Sequence, residues 1–431
     1  MGELREVGMA IESDVLVIGG GLAGATAAIE AARGGASVRL VAHKENTLRN
    51  ASGLIDVLGY NGGDEPLVEP FEAIADLPDE HPYRKVGVEA VRESLALFDE
   101  IAGDLYEGGH TETNALSPTY GGRVKPTGRY PKSAAAGLAS RTEDTLLVGF
   151  EIVTSFDAPL AAERLDSSVP FDVRGVTIRF PGEFRADARI TRLATALDAD
   201  ELRDREQRLG TREALAARVA EYLGDAERVG FPALLGDDEH QAVREALETE
   251  LGVPVFEVPM GPPSLPGMRL EDRLYEELDA EGVRVESGNP VVGYTADDGR
   301  ITAVSVDRGR REVPYHAEQF VLATGGLVGK GIDSSREGVS EPVFDCHVPQ
   351  PEERYEWFHD RVFDDQPYAR FGVSVDDGLR PLDSSGEPEF SNLRAAGAVL
   401  GGYDMAREKS ASGVSLSTGL VAGQRANEDL Q

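Results

Sequence analysis

The chain has 431 residues, too many for one ordinary domain, and 41% hydrophobic content, enough to build real cores. Its 77 acidic residues against 43 basic ones give a net charge of −34, the wrong sign for a nucleic-acid binder or for attraction to an anionic membrane. A single cysteine, Cys346, excludes an intramolecular disulfide and a Cys-ligated iron–sulfur or metal site within the chain, and no metal site is expected.

The carboxylates are spread along the whole sequence, and only six of the basic residues are lysine. Such a surface stays hydrated in concentrated salt and repels itself in dilute buffer, the signature of a halophilic protein. No stretch approaches the roughly 20 apolar residues that cross a bilayer. The acidic N-terminus lacks the apolar segment of a secretory signal, so a cytoplasmic location is the default.

Residues 1–10 read as a flexible extension. The apolar run Val15–Ile18 is a strand; a glycine turn, a small-residue helix over Leu22–Arg33 and a second strand over Ser37–Val41 complete a βαβ unit. A turn-rich stretch (50–64) and an amphipathic helix over Val88–Leu105 follow. From Thr145 a new pattern begins. It runs through a strand, a helix over Ala158–Leu165 and the strand 175–180. A charged helical region over Asp198–Tyr222, a helix over Glu239–Glu250 and the strand 253–259 complete it. Gly261-Pro262-Pro263 marks its end. A helix over Gly267–Leu278, the strand 282–287, a hairpin over 291–309 and a strand over 319–326 then restore nucleotide-binding character. The fold class expected is α/β: a Rossmann-like flavoprotein domain (11–140 and 266–431) with an inserted α/β domain (141–265).

The chemistry starts at Gly19-Gly20-Gly21-Leu22-Ala23-Gly24. Gly19 permits a tight turn, Gly21 lets a phosphate approach the backbone, and Gly24 lets the helix pack on the strand; the free N–H groups at the helix start attract an anion. A glycine turn alone is weak, but its place between strand and helix favours a dinucleotide-type ligand. About 20 residues on, where an acid would hold an adenosine ribose, stand Val41-Ala42-His43-Lys44, with Glu45 slightly late. That omission weakens an NAD reading and leaves open whether the ligand has an adenosine half. Lys44 is a candidate partner for the cofactor phosphate.

Two later segments, Phe320–Gly326 with Thr324 and Gly325, and Asn392–Asp404 with Gly397, join the first in an order that resembles the two-dinucleotide-binding flavoproteins. Ala398 stands where that superfamily usually carries an acid. The helix opened by Gly413 and Val414 would, by the same resemblance, aim its positive end at the flavin and stabilise its anionic reduced form. The segments Ser52–Tyr60, His81–Tyr83, Pro262–Leu270 and Phe371–Pro381 narrow the match. Over nearly its full length the chain resembles the B subunits of anaerobic glycerol-3-phosphate dehydrogenases, within the fumarate-reductase-like flavoproteins. The resemblance implies oxidation of sn-glycerol 3-phosphate to dihydroxyacetone phosphate, with electrons passing to quinone and on to an acceptor such as fumarate. It also implies a flavoprotein A subunit, an iron–sulfur C subunit that holds the complex at the inner face of the membrane, and FMN, with FAD as the alternative. Cofactor contacts are then expected at Gly19, Gly21, Gly24, Lys44, Ser52, Gly53, Thr324, Gly325, Gly397, Ala398, Gly413 and Val414. No histidine lies in 46–54, so the flavin is expected to be non-covalent.

Removing hydride from a secondary alcohol needs a base for the hydroxyl proton, and a phosphate favours an arginine fork. His81 and His347 are the histidine candidates, Arg269 and Arg380 the arginines; each residue type is more often structural or solvated. Cys346 is more readily a small buried apolar group than a nucleophile. Two alternatives stay open: a stand-alone fumarate-reductase-like oxidoreductase, and an assembly subunit whose flavin site is vestigial.

Overall fold

The computed structural model describes residues 11–44, 47–201, 209–309, 311–362 and 365–431. The expected extension (1–10), the late acid Glu45 and residues 202–208 of the charged helical region lie outside them.

The larger sheet is built on the predicted crossover. Strand β1 (Ile11–Ile18), helix α1 (Leu22–Arg33) and strand β2 (Val38–Ala42) come first. Helix α2 (Val88–Ala102) precedes the second region. There, β3 (Thr145–Phe150), α3 (Ala158–Asp166) and β4 (Val173–Ile178) form another crossover. Helices α4 (Ile190–Ala199) and α5 (Thr211–Leu223), strand β5 (Arg228–Pro232), helix α6 (His240–Leu251) and strand β6 (Val255–Val258) complete it. The chain returns through α7 (Leu265–Ala280), β7 (Arg284–Ser287), β8 (Val291–Asp297), β9 (Arg300–Asp307), β10 (Glu312–Leu322), β11 (Leu393–Ala395) and α8 (Ala411–Glu428).

Strands β7, β2, β1 and β10 lie side by side and parallel. The far edge of β10 is shared. Its first residues pair antiparallel with β9 of the β8–β9 hairpin, and Phe320–Leu322 pair parallel with β11. Buried apolar runs such as Val15–Ile18 are what a parallel sheet covered on both faces requires. Helix α1 is buried along almost its whole length because it is sandwiched between this sheet and α8. Glycine makes that possible: Cβ atoms at Gly419 and Gly423 would crowd the Ala23 and Ala27 carbonyls.

The second sheet has the order β6-β5-β3-β4, all parallel, around a separate core that includes Phe150, Phe231 and Phe256 and also recruits Ala136. Two details differ from expectation. Strand β5 has no mark in the sequence pattern, because Arg-Val-Gly-Phe-Pro is short, contains Gly and Pro, and is buried on both faces, which removes the alternation of a half-exposed strand. Among the described residues of the Asp198–Tyr222 region, α4 ends with Asp200 in the left-handed region (φ 45°) and α5 starts at Thr211. Arg269 of α7 reaches Glu257 of β6 at 2.7 Å and ties the two regions together in a buried ion pair. Among the described residues no helix is long and apolar enough to cross a membrane.

Candidate cofactor site

The glycine turn is shaped by its neighbours as much as by its ligand. Gly19 has φ 119°, and a Cβ there would overlap the Ala323 carbonyl of the neighbouring strand end. A Cβ at Gly24 would overlap the Gly19 carbonyl, so this glycine sets how closely α1 folds back on the turn. Gly21 is different: an added Cβ would meet nothing within 4 Å. It is the N-cap of α1, extended, with no side chain capping the helix. The first four N–H groups of a helix lack intrahelical partners, and the macrodipole makes that end positive. The turn therefore presents an open, anion-attracting face.

That face lines a cavity of about 260 Å³. The cavity runs from Gly19–Gly21 along the end of β2 (Val41–Lys44) to Asn289–Val291, with Thr324, Gly325 and Lys330 on its other wall. It is smaller than the roughly 300–1,000 Å³ of whole-ligand pockets, so it has room for part of a dinucleotide. Thr324 Oγ1 is buried without a hydrogen-bond partner, an orphaned polar atom on a cavity-lining residue. Two of the six lysines, Lys44 and Lys330, share the cavity. The residues present fit the anionic part of a flavin dinucleotide.

Of the sequence-predicted contacts, Gly19, Gly21, Lys44, Thr324 and Gly325 come together here. Gly24 serves them through packing. Ser52, Gly53, Gly397, Ala398, Gly413 and Val414 do not line this cavity. A Cβ at Gly53 (φ 81°) would press on Pro266. The Gly397 N–H donates to Thr418 Oγ1 at 2.9 Å, and the Gly413 N–H to the Asp56 carbonyl at 2.7 Å. Glycine at 413 is demanded by Tyr83, whose hydroxyl occupies the place of a Cβ. The amide expected to face the flavin is, in this structure, bonded to the protein itself.

The four catalytic candidates are held apart. His81 is buried: its Nδ1 accepts from the Tyr83 N–H at 3.0 Å, leaving Nε2 to donate to Glu408 at 3.0 Å. It caps the short helix Pro82–Val86. Arg269 gives its guanidinium to Glu257 and the Gly236 carbonyl. Burial alone would raise the Glu257 carboxyl, but Arg269 and neighbouring donors hold it below its ordinary value. Arg380 pairs with Asp376 at 2.7 Å in a local turn. His347 is exposed on a separate depression with Asp345 and Asp383. Beside it Cys346 is buried, and burial together with Glu341 pushes its thiol upward, which makes it inert as a nucleophile.

One charged cluster has no motif to announce it. Asp56 is 4% exposed, its Oδ2 lies 2.8 Å from Lys125 Nζ, and its Oδ1 is buried with no hydrogen-bond partner. Lys409 is close enough to act on it electrostatically. Burial pushes the Asp56 carboxyl up, against the pull of Lys125. Burial also lowers Lys409, reinforced by Lys125. The signal available in the sequence is the rarity of lysine: of six, two converge on this carboxylate.

Residues 14–414 match the FAD binding domain family. The chain is 58% identical over 427 residues to the probable anaerobic glycerol-3-phosphate dehydrogenase B subunit of Halobacterium salinarum, covering 97% of this chain and 99% of that protein. It is 31% identical over 432 residues to the anaerobic glycerol-3-phosphate dehydrogenase B subunit of Yersinia pestis, covering 96% and 97% respectively. Among solved structures, the 3-ketosteroid delta1-dehydrogenase of Sterolibacterium denitrificans aligns with 97% of this chain and 100% of its own at 11% identity and TM-score 0.45. The family match names FAD, the cofactor expected as the alternative, and lends no support to the FMN that the resemblance implied. The chain belongs to the family of anaerobic glycerol-3-phosphate dehydrogenase B subunits, among the FAD-binding flavoproteins.

Proposed function

We propose that this chain is the FAD-carrying B subunit of a respiratory dehydrogenase that oxidises sn-glycerol 3-phosphate to dihydroxyacetone phosphate and passes electrons to quinone, with an anaerobic acceptor such as fumarate downstream. The observation that carries this reading is the bare start of α1 over a cavity wall, in a chain aligned end to end with relatives of that name. A bound FAD supplies a two-electron hydride acceptor. The chain's own part is to hold its diphosphate on the Gly21–Gly24 amides, with Lys44 and Lys330 balancing the charge. The attachment is non-covalent.

Its partners are a flavoprotein A subunit and an iron–sulfur C subunit that keeps the complex at the inner face of the cell membrane. The acidic surface fits work in concentrated salt. The test is direct. Heat-released cofactor from purified protein is identified by chromatography, and turnover of glycerol 3-phosphate with a dye is measured with and without the partner subunits. FAD with partner-dependent turnover supports the proposal, and turnover by the isolated chain points to a stand-alone oxidoreductase. The bonding of the Gly397 and Gly413 amides within the protein favours a second reading, an assembly subunit with a vestigial flavin site. Colourless protein that takes up no added FAD would select it.

A further inference from the structure

The Asp56 cluster lies beside the cofactor elements without belonging to the cavity. Residues 54–57 run along the N-terminus of α8. The Asp56 carbonyl accepts from the Gly413 N–H, and the Val57 carbonyl from the Tyr83 hydroxyl at 2.5 Å. Ile55 pairs with Arg129 on the other side. The backbone of Asp56 is thus fixed, and its side chain is directed by Lys125, which is itself 21% exposed. Lys409 adds a second cation from a left-handed backbone position (φ 54°). Lysine is the cation suited to a site of changing charge, since it gives up a proton when buried and arginine does not.

A buried carboxylate oxygen without a donor is costly, and it is complementary to a ligand that brings a hydroxyl. Lys125, paired with Asp56 Oδ2, and Lys409, whose ammonium donates to the Ala406 carbonyl and acts on Asp56 electrostatically, supply positive charge complementary to an anion. We propose that Asp56, Lys125 and Lys409 form the binding site for a polyol phosphate monoester, with Asp56 Oδ1 receiving the hydroxyl that is oxidised and the lysines facing the phosphoester. This rests on the proposed function, which supplies the oxidant, a bound flavin. The O–H bond breaks and its proton passes to Asp56. The C–H hydrogen leaves with both electrons as hydride to the flavin, and the carbon–oxygen bond becomes a carbonyl. The groups facing Asp56 are Lys125 and Lys409, with Tyr83 beside them and Asp404 and Glu408, the partner of His81, behind. Burial raises the carboxyl above its ordinary value, against the pull of Lys125.

The experiment compares wild type, Asp56→Asn and Lys409→Gln in the assembled complex. FAD content is read by absorbance, dihydroxyacetone phosphate binding by calorimetry, and glycerol 3-phosphate turnover across pH. Asp56→Asn is expected to keep its FAD, lose ~10²-fold or more in kcat and lose the acidic limb of its pH profile. Lys409→Gln, which removes the charge and keeps the side chain's length nearly unchanged, is expected to raise KM and weaken dihydroxyacetone phosphate binding about tenfold with FAD retained. Unchanged kcat and acidic limb in Asp56→Asn, or unchanged binding in Lys409→Gln, overturns the assignment while the wild type still turns over. Wild type that holds FAD but neither binds nor oxidises these compounds brings down the proposed function, and this site with it.

Discussion

Both regions of the molecule begin with the same device, strand–helix–parallel strand, yet they treat the helix start in opposite ways. Helix α1 opens at Gly21 with no side-chain cap. Helix α3 opens at Asp157, whose carboxylate accepts from the Leu160 N–H at 3.1 Å, with Pro159 removing a further donor. Glycine gives close approach in both: Gly24 under the Gly19 carbonyl, Gly175 under the Ala158 carbonyl. The difference is therefore not in how helix meets sheet but in who satisfies the first amides. A helix that brings its own carboxylate repels an anion; one that offers only glycine invites it.

The comparison can be broken most severely at Gly24. Gly24→Val forces a side chain into the Gly19 carbonyl, at a cost of about 3 kcal/mol or more, and is expected to give little folded protein by circular dichroism. Next comes the joint between the regions. Arg269→Met leaves Glu257 buried and unpaired, an expected loss of about 3–5 kcal/mol in denaturant unfolding. The pH dependence follows with its sign. In the wild type the Glu257 carboxyl is held below its ordinary value of 4.5. Its contribution is thus complete above that value and lost as pH falls through the lower folded one. Without Arg269, burial raises it instead, and stability should then fall as pH rises; melting temperatures that keep the wild-type slope would refute the pairing.

Gly21→Asp transplants the cap of α3 onto α1. The free protein should melt no lower, gaining about 0.5 kcal/mol, while FAD affinity drops about a hundredfold or more, measured by fluorescence titration. Retained FAD would show that the turn is not its seat. The reciprocal Asp157→Ala should cost about 1 kcal/mol and leave FAD content unchanged. The smallest effect is expected at the cavity lysines: Lys330→Ala weakens FAD binding by about 3–10-fold at low salt, fading as salt screens the charge.

Much of the first region is legible in the sequence because its determinants are local. The strand, turn and helix around Gly19–Gly24 carry their own periodicity, and the hairpin turn at Asp298-Gly299 carries positive φ at both residues, as an Asp-Gly turn implies. What is not legible is long-range. His81 and Glu408 are 327 positions apart, and Asp56 meets Lys125 from a different part of the chain. The reason for a glycine is equally ambiguous from sequence: Gly413 reads as a cofactor contact and is required by the Tyr83 hydroxyl, whereas Gly21 faces open space.

The amino-acid order alone determined the acidic composition, the first crossover with its glycine turn, and the family, since composition, hydrophobic period and motif spacing are properties of the chain read along its length. Only the tertiary structure decided which glycine is open, which arginine and histidine are already paired, and which carboxylate keeps an oxygen without a donor. Those are outcomes of packing between residues remote in sequence, where burial removes water as the default partner and makes each unmet charge or hydrogen bond count.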